Sequence, residues 1–185
     1  MQRLIPSKCA VVVVDVQERL VAAMPEARVA DVVRSARILV ESARLLGAPV
    51  FATVQYPKGL GPMIEPISAV LSGAGVTPFE KSHFSAADAT AFTEALERSG
   101  ASDVIAIGME AHVCVYQTVR DLAASGYTVH VAADGVCSRR DDVRDVGLGL
   151  VVRSGAFVTN SEAIVLDWLR DSAAPEFKAI SRLIR

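Results

Sequence analysis

The chain has 185 residues, 51% of them hydrophobic and 22% charged. That is enough apolar material for one large core and too much for a disordered chain. Its 19 Lys and Arg face 21 Asp and Glu, a net charge of −2 that gives no electrostatic reason to expect nucleic acid or an anionic membrane as partner. The longest aliphatic stretch, Ala10 to Val14, is far too short to span a bilayer, and the first residues show no secretory leader. Three cysteines, Cys9, Cys114 and Cys137, form no CxxC. The expectation is a single domain over residues 1–185 in a reducing, cytoplasmic setting.

Two kinds of apolar segment alternate along the chain. Cys9 to Val14 is a continuous β-branched run, as in a strand covered on both faces. From about Ala27 to Leu46 apolar residues recur at helical spacing, and Gly47 ends the helix. Pro49 to Val54 reads as a second strand, and Tyr56 to Pro62 as a loop. A short helix near Pro66 to Leu71 precedes a brief strand at Val76 to Glu80 and a helix at Ala87 to Arg98. Asp103 to Gly108 is a buried strand, Val113 to Ser125 a helix, and Tyr127 to Ala132 another strand. Arg140 to Ser154 is helical, with Gly147 and Gly149 either permitting close packing or weakening the helix. A short strand at Ala156 to Val158 and helices at Ser161 to Leu169 and about Glu176 to Leu183 complete the pattern. This alternation predicts a three-layer α/β/α fold: a Rossmann-like sheet of about six mostly parallel strands with helices on both faces.

In such sheets sites form beyond the C-terminal ends of the strands. Asp15 ends the first strand, Lys81 follows the short strand at Phe79, and Cys114 follows the strand that closes at Gly108. The fold would bring the three to one rim. A carboxylate can take a thiol proton, an ammonium can stabilise the anion, and free N–H groups at a helix start can hold an oxyanion. The chemistry is covalent acyl transfer to a Cys114 thiolate followed by hydrolysis. Each residue alone also has an ordinary structural reading: a buried thiol, a turn aspartate, a solvated lysine. Cys9, inside a strand, and Cys137, in a polar loop, read as core or bystander.

The sequence resembles the isochorismatase-like cysteine hydrolase superfamily. The resemblance rests on Asp15-Val-Gln17, Lys81-Ser-His-Phe84 and Gly108-Met-Glu-Ala-His-Val-Cys-Val115, in that order and at strand ends. The nearest branch is that of the isochorismatase domain-containing hydrolases, to which Gln55 to Gly61, Gly126 to Arg139 and Pro175 to Ser181 are similar. The resemblance implies a triad of Asp15, Lys81 and Cys114. It also implies a non-proline cis peptide at Met109–Glu110, and an oxyanion hole from the Glu110 and Cys114 N–H groups. Nicotinamidases of that superfamily carry an Asp/His metal site between the second strand and the lysine. Phe51 to Glu80 contains neither residue, so no metal and no cofactor are expected.

Gln17, Tyr56, Phe84 and His112 are candidate substrate-binding residues, Tyr56 and Phe84 as an aromatic wall or as simple packing. His83 reads as support behind the site, and His130 as a satisfied structural residue within a strand. The partner is a small molecule: a small amide or related acyl compound, or alternatively an isochorismate-like vinyl ether. A metabolite-binding or thiol-responsive protein without turnover is the reading from a different class. The resemblance further implies a homo-oligomer.

Overall fold

The structure, a computed structural model, describes residues 3–185. The first half of the chain comprises β1 (Cys9–Val14), α1 (Glu18–Val21), α2 (Glu26–Leu46), β2 (Val50–Gln55), α3 (Pro57–Leu60), α4 (Glu65–Gly73), β3 (Phe79–Lys81) and α5 (Thr90–Arg98). It continues with β4 (Asp103–Met109), a π-helical turn (Ala111–Val115), α6 (Tyr116–Ala124), β5 (Thr128–Cys137), α7 (Asp141–Arg153), β6 (Phe157–Thr159), α8 (Ser161–Leu169) and α9 (Phe177–Ile184).

All six strands pair in parallel, in the order β3-β2-β1-β4-β5-β6. The β-branched run of β1 lies at the centre and is wholly buried, because its alternate residues serve two cores. Val11 and Val13 pack with Leu39 of α2, Ile67 of α4, Trp168 of α8 and Ile180 of α9. Ala10, Val12 and Val14 pack on the other face with Phe92 of α5, Val119 of α6 and Val151 of α7. This is the three-layer α/β/α arrangement expected. The chain reverses its direction of winding between β1 and β4, and a crevice opens at such a switch point beyond the strand ends.

Close approach at that point depends on Gly108. Its φ is 124°, and a Cβ there would sit 2.0 Å from the Val14 carbonyl oxygen. Gly147 has a related role: a Cβ would lie 2.7 Å from the His112 nitrogen, so α7 packs directly on the turn that carries Cys114. A Cβ at Gly149, two residues on, would meet nothing within 4 Å. Gly147→Ala is therefore expected to displace the Cys114 turn, costing about 1–3 kcal/mol of stability by overpacking. It should lower the reactivity of Cys114, while Gly149→Ala leaves that reactivity unchanged. Denaturant titration and thiol labelling of both variants check this.

Several boundaries differ from the sequence expectation. Lys81 lies within β3 rather than after it, and the predicted loop after Gln55 contains the short helix α3. The largest difference is β5, which runs on to Cys137. Its register against β4 jumps from Ala106↔Val131 to Gly108↔Val136, a bulge that accommodates extra residues without ending the strand. Arg144 of α7 holds the bulge, its Nε donating to the Val136 carbonyl at 2.9 Å and its guanidinium also to Ala133. Asp134, in the bulge, accepts from the Ser161 backbone and hydroxyl at the start of α8 and so tethers that helix. Cys137 is thus a core residue of a strand, not part of a polar loop.

His130 is not satisfied in the way expected. It is fully buried and stacked on Phe157 at 5.2 Å, with Nε2 3.5 Å from Asp103, and neither ring nitrogen makes a hydrogen bond. Burial pushes its pKa down, favouring the neutral ring.

Candidate active site

Asp15 sits one residue past β1 with φ of 51°, a left-handed conformation that a non-glycine residue adopts only where its surroundings enforce it. Its carboxylate is completely buried and paired with Lys81, Nζ to Oδ2 at 2.6 Å, with both side chains fully excluded from solvent. Thr53 of β2 donates to the other carboxylate oxygen at 2.8 Å.

The Lys81 ammonium is equally well held. Besides Asp15 it donates to Gln55 Oε1 at 2.8 Å, to the Phe84 carbonyl at 3.0 Å and to the His83 carbonyl at 3.2 Å. Three protons meet four acceptors, so the ammonium has no free donor. His83 supports the site through its backbone; its side chain is exposed. Gln55 is fixed in turn by its donation to Ser82 O at 2.6 Å.

Gln17, expected to contact substrate, is turned into the protein instead. It is fully buried, its amide donates to Gln55 O and Gly61 O, and its carbonyl accepts from Gln55 N at 2.7 Å. With every bond used, its role is to pin the 56–64 segment to the ends of β1 and β2.

Cys114 lies in the π-helical turn after β4 and is 5% exposed. Burial is the main cause that pushes its thiol up to about 12; the Asp15 charge, a hydrogen bond to Asp15 and the Glu110 charge add to this, and only Lys81 opposes it. Burial and the neighbouring carboxylate thus favour the thiol over the thiolate in the resting site, while the Lys81 charge favours the thiolate. The Met109–Glu110 peptide is cis. The Glu110 carbonyl accepts from the Val113 and Val115 N–H groups, and its carboxylate accepts from Arg139 N and Nε at 3.1 and 3.0 Å.

His112 is half-buried, with Nδ1 3.0 Å from the buried Ser138 hydroxyl. Tyr56 and Phe84 are 59% and 54% exposed, so they flank the surface rather than fill the core. Thr53, Gln55, Ser138 and Arg139 were not assigned to the site from the sequence; of these only Gln55 directly follows a strand read there, and Ser138 and Arg139 reach a strand end only because β5 runs on to Cys137.

All three thiols titrate above their ordinary range: Cys9 at about 11, Cys114 and Cys137 at about 12, burial being the chief cause in each. Unfolded thiols lose their protons near 9, so between there and the native values the unfolded chain binds fewer protons and stability falls as pH rises. Each buried thiol contributes about 1.4 kcal/mol per pH unit to that fall. Urea titrations from pH 8 to 10.5 should show a shallower decline for Cys137→Ala than for the native chain. Equal slopes would contradict the assignment.

A parallel sheet with a buried ion pair and a buried thiol beyond its strand ends defines a doubly wound α/β protein. The chain belongs to the isochorismatase family, whose domain profile matches residues 9–163. It is 37% identical to isochorismatase domain-containing protein 1 of Salmo salar over 98% of this chain. It is 34% identical to isochorismatase domain-containing protein 2 of Homo sapiens over 99% of this chain and 86% of that relative. The chain spans 62% and 54% of the lengths of its Salmo salar and Danio rerio protein 1 relatives. Among solved structures, the MAR1 ribonuclease of Caenorhabditis elegans superposes with a TM-score of 0.91 at 34% identity, covering 99% of this chain and 92% of that one. YcaC of Pseudomonas aeruginosa shares the fold, with a TM-score of 0.87 at 23% identity over 97% of this chain and 90% of that one.

Proposed function

We propose that this hydrolase-family chain cleaves a small amide or related acyl compound through a covalent intermediate on Cys114, without a metal. The observation that carries the reading is the fully buried Asp15–Lys81 pair, whose carboxylate adds to burial in raising the pKa of the Cys114 thiol. Asp15 is the general base. As the sulfur attacks the carbonyl carbon, its proton passes to Asp15 and the negative charge moves to the carbonyl oxygen, held by the Glu110 and Cys114 N–H groups. Collapse expels the amine, which takes the proton from Asp15. Water then attacks the thioester, Asp15 removes its proton, and the acid and the thiol are released. Lys81 touches no substrate in this scheme: it fixes the carboxylate and balances its charge in a site where a second anion would be costly.

The described residues contain no group of three or more His, Cys, Asp or Glu suited to an ion. The surface aromatics Tyr56 and Phe84 and the His112 imidazole are the contacts proposed for a flat substrate. No described helix is long and apolar enough to cross a membrane, and a cytoplasmic location and a homo-oligomer are parts of the same proposal.

The test is a panel of small amides and esters, with RNA and a vinyl ether included. Hydrolysis of an amide or ester, abolished by Cys114→Ala with the fold retained, is the expected result. Cleavage of RNA or the vinyl ether alone, or turnover that survives Cys114→Ala, would overturn it.

A further inference from the structure

We infer that the outer face of α7 is a self-pairing surface, on which a second copy of this chain docks its own α7 in antiparallel orientation. Val146 and Val152 on this helix are 59% and 56% exposed, among the most exposed large apolar side chains described. Between them stands Gly149, on the same face. A glycine inside a helix weakens it, and this one has no packing use within the chain, since a Cβ there would meet nothing within 4 Å. Gly147, by contrast, is required on the inner face.

The arrangement around Gly149 is self-complementary. Val146 and Val152 lie three residues to either side, and Asp145 and Arg153 four residues to either side. At 100° per residue all five fall within about 60° of one line along the helix. A two-fold axis at Gly149 would therefore set Val146 of one copy level with Val152 of the other across the helix pair, and the acidic first half of each helix, Asp145 included, against Arg153 of the other. Arg153 has no ion-pair partner among the described residues. Asp145 is 71% exposed and engaged only by its neighbour Arg144, at 3.2 Å, so it can accept a second cation. The charge pattern selects a second copy over an unrelated partner, because the same helix supplies both halves of the match. Paired in this way, the interface would lie directly behind the Cys114 turn, since α7 packs on that turn through Gly147.

The experiment is sedimentation equilibrium of the full chain across a wide concentration range. The native chain should associate, and V146E and R153E should each weaken association at least about tenfold. Exchanging the charges in D145R/R153E should restore most of what R153E loses. G149A should weaken association while its isolated monomer melts no lower than that of the native chain, which separates an interface from a folding defect. A native chain that stays monomeric to its solubility limit, or association unmoved by V146E and R153E, would overturn the inference.

Discussion

Asp15→Asn should make Cys114 react faster with iodoacetamide near pH 8 while turnover falls by about three orders of magnitude. The two effects have opposite signs because the carboxylate has two roles. In the resting site it is an anion beside the thiol, and together with burial it holds the thiol up to about 12. Neutralising it leaves the Lys81 charge unmatched beside the thiol, so the thiolate fraction rises and alkylation accelerates about tenfold. In the proposed reaction the same carboxylate receives the proton, and a general base contributes about 10²–10⁴-fold. Lys81→Met removes the only nearby charge that lowers the Cys114 pKa, so both alkylation and turnover should fall. Peptide mass spectrometry after timed labelling reads all three thiols in one sample. Slower Cys114 labelling in Asp15→Asn, with the fold intact, would show that the carboxylate does not act on the thiol in this way.

Lys81→Met should also be the most destabilising single change in the site, by about 3–5 kcal/mol, because it strands a buried carboxylate. Both members of the pair are fully excluded from solvent, so water cannot take the place of the lost ammonium. The loss is a statement about breaking the pair, not about the pair's net worth. Asp15→Asn/Lys81→Met removes both charges and should recover most of the stability while remaining inactive. A urea double-mutant cycle measures this coupling. A double variant no more stable than Lys81→Met would mean that Lys81 acts by packing, through its carbons, rather than by charge.

The frame of the molecule was legible from the alternation of β-branched runs with helical periodicity, and the positions of Asp15, Lys81 and Cys114 followed from where those runs end. What holds them in place was harder to read. Thr53 and Gln55 belong to an inner strand, and there a polar side chain carries no periodic signal until its partner on another strand is known. The same is true of Arg139, whose partner Glu110 is 29 residues away. Gln17 was visible as a strand-end residue, but only its three hydrogen bonds within the chain distinguish a scaffold from a substrate contact. The bulge in β5 hid Cys137, since extra residues interrupt the alternation by which a strand is recognised. The direction in which the Cys114 pKa moves could not be inferred from residue types alone: an acid, a lysine and a thiol suggest an activated anion, whereas burial and the Asp15 charge favour the neutral thiol.

The most direct test of the account is to quench the native enzyme during steady turnover of an amide that it hydrolyses and map the added mass by peptide sequencing. The account predicts the acyl group of the substrate on the peptide containing Cys114, at the sulfur, with no adduct in Cys114→Ala and a longer-lived one where deacylation is slowed by low pH. Acyl mass on Cys9, Cys137 or another side chain, or an adduct that persists in Cys114→Ala, would contradict it.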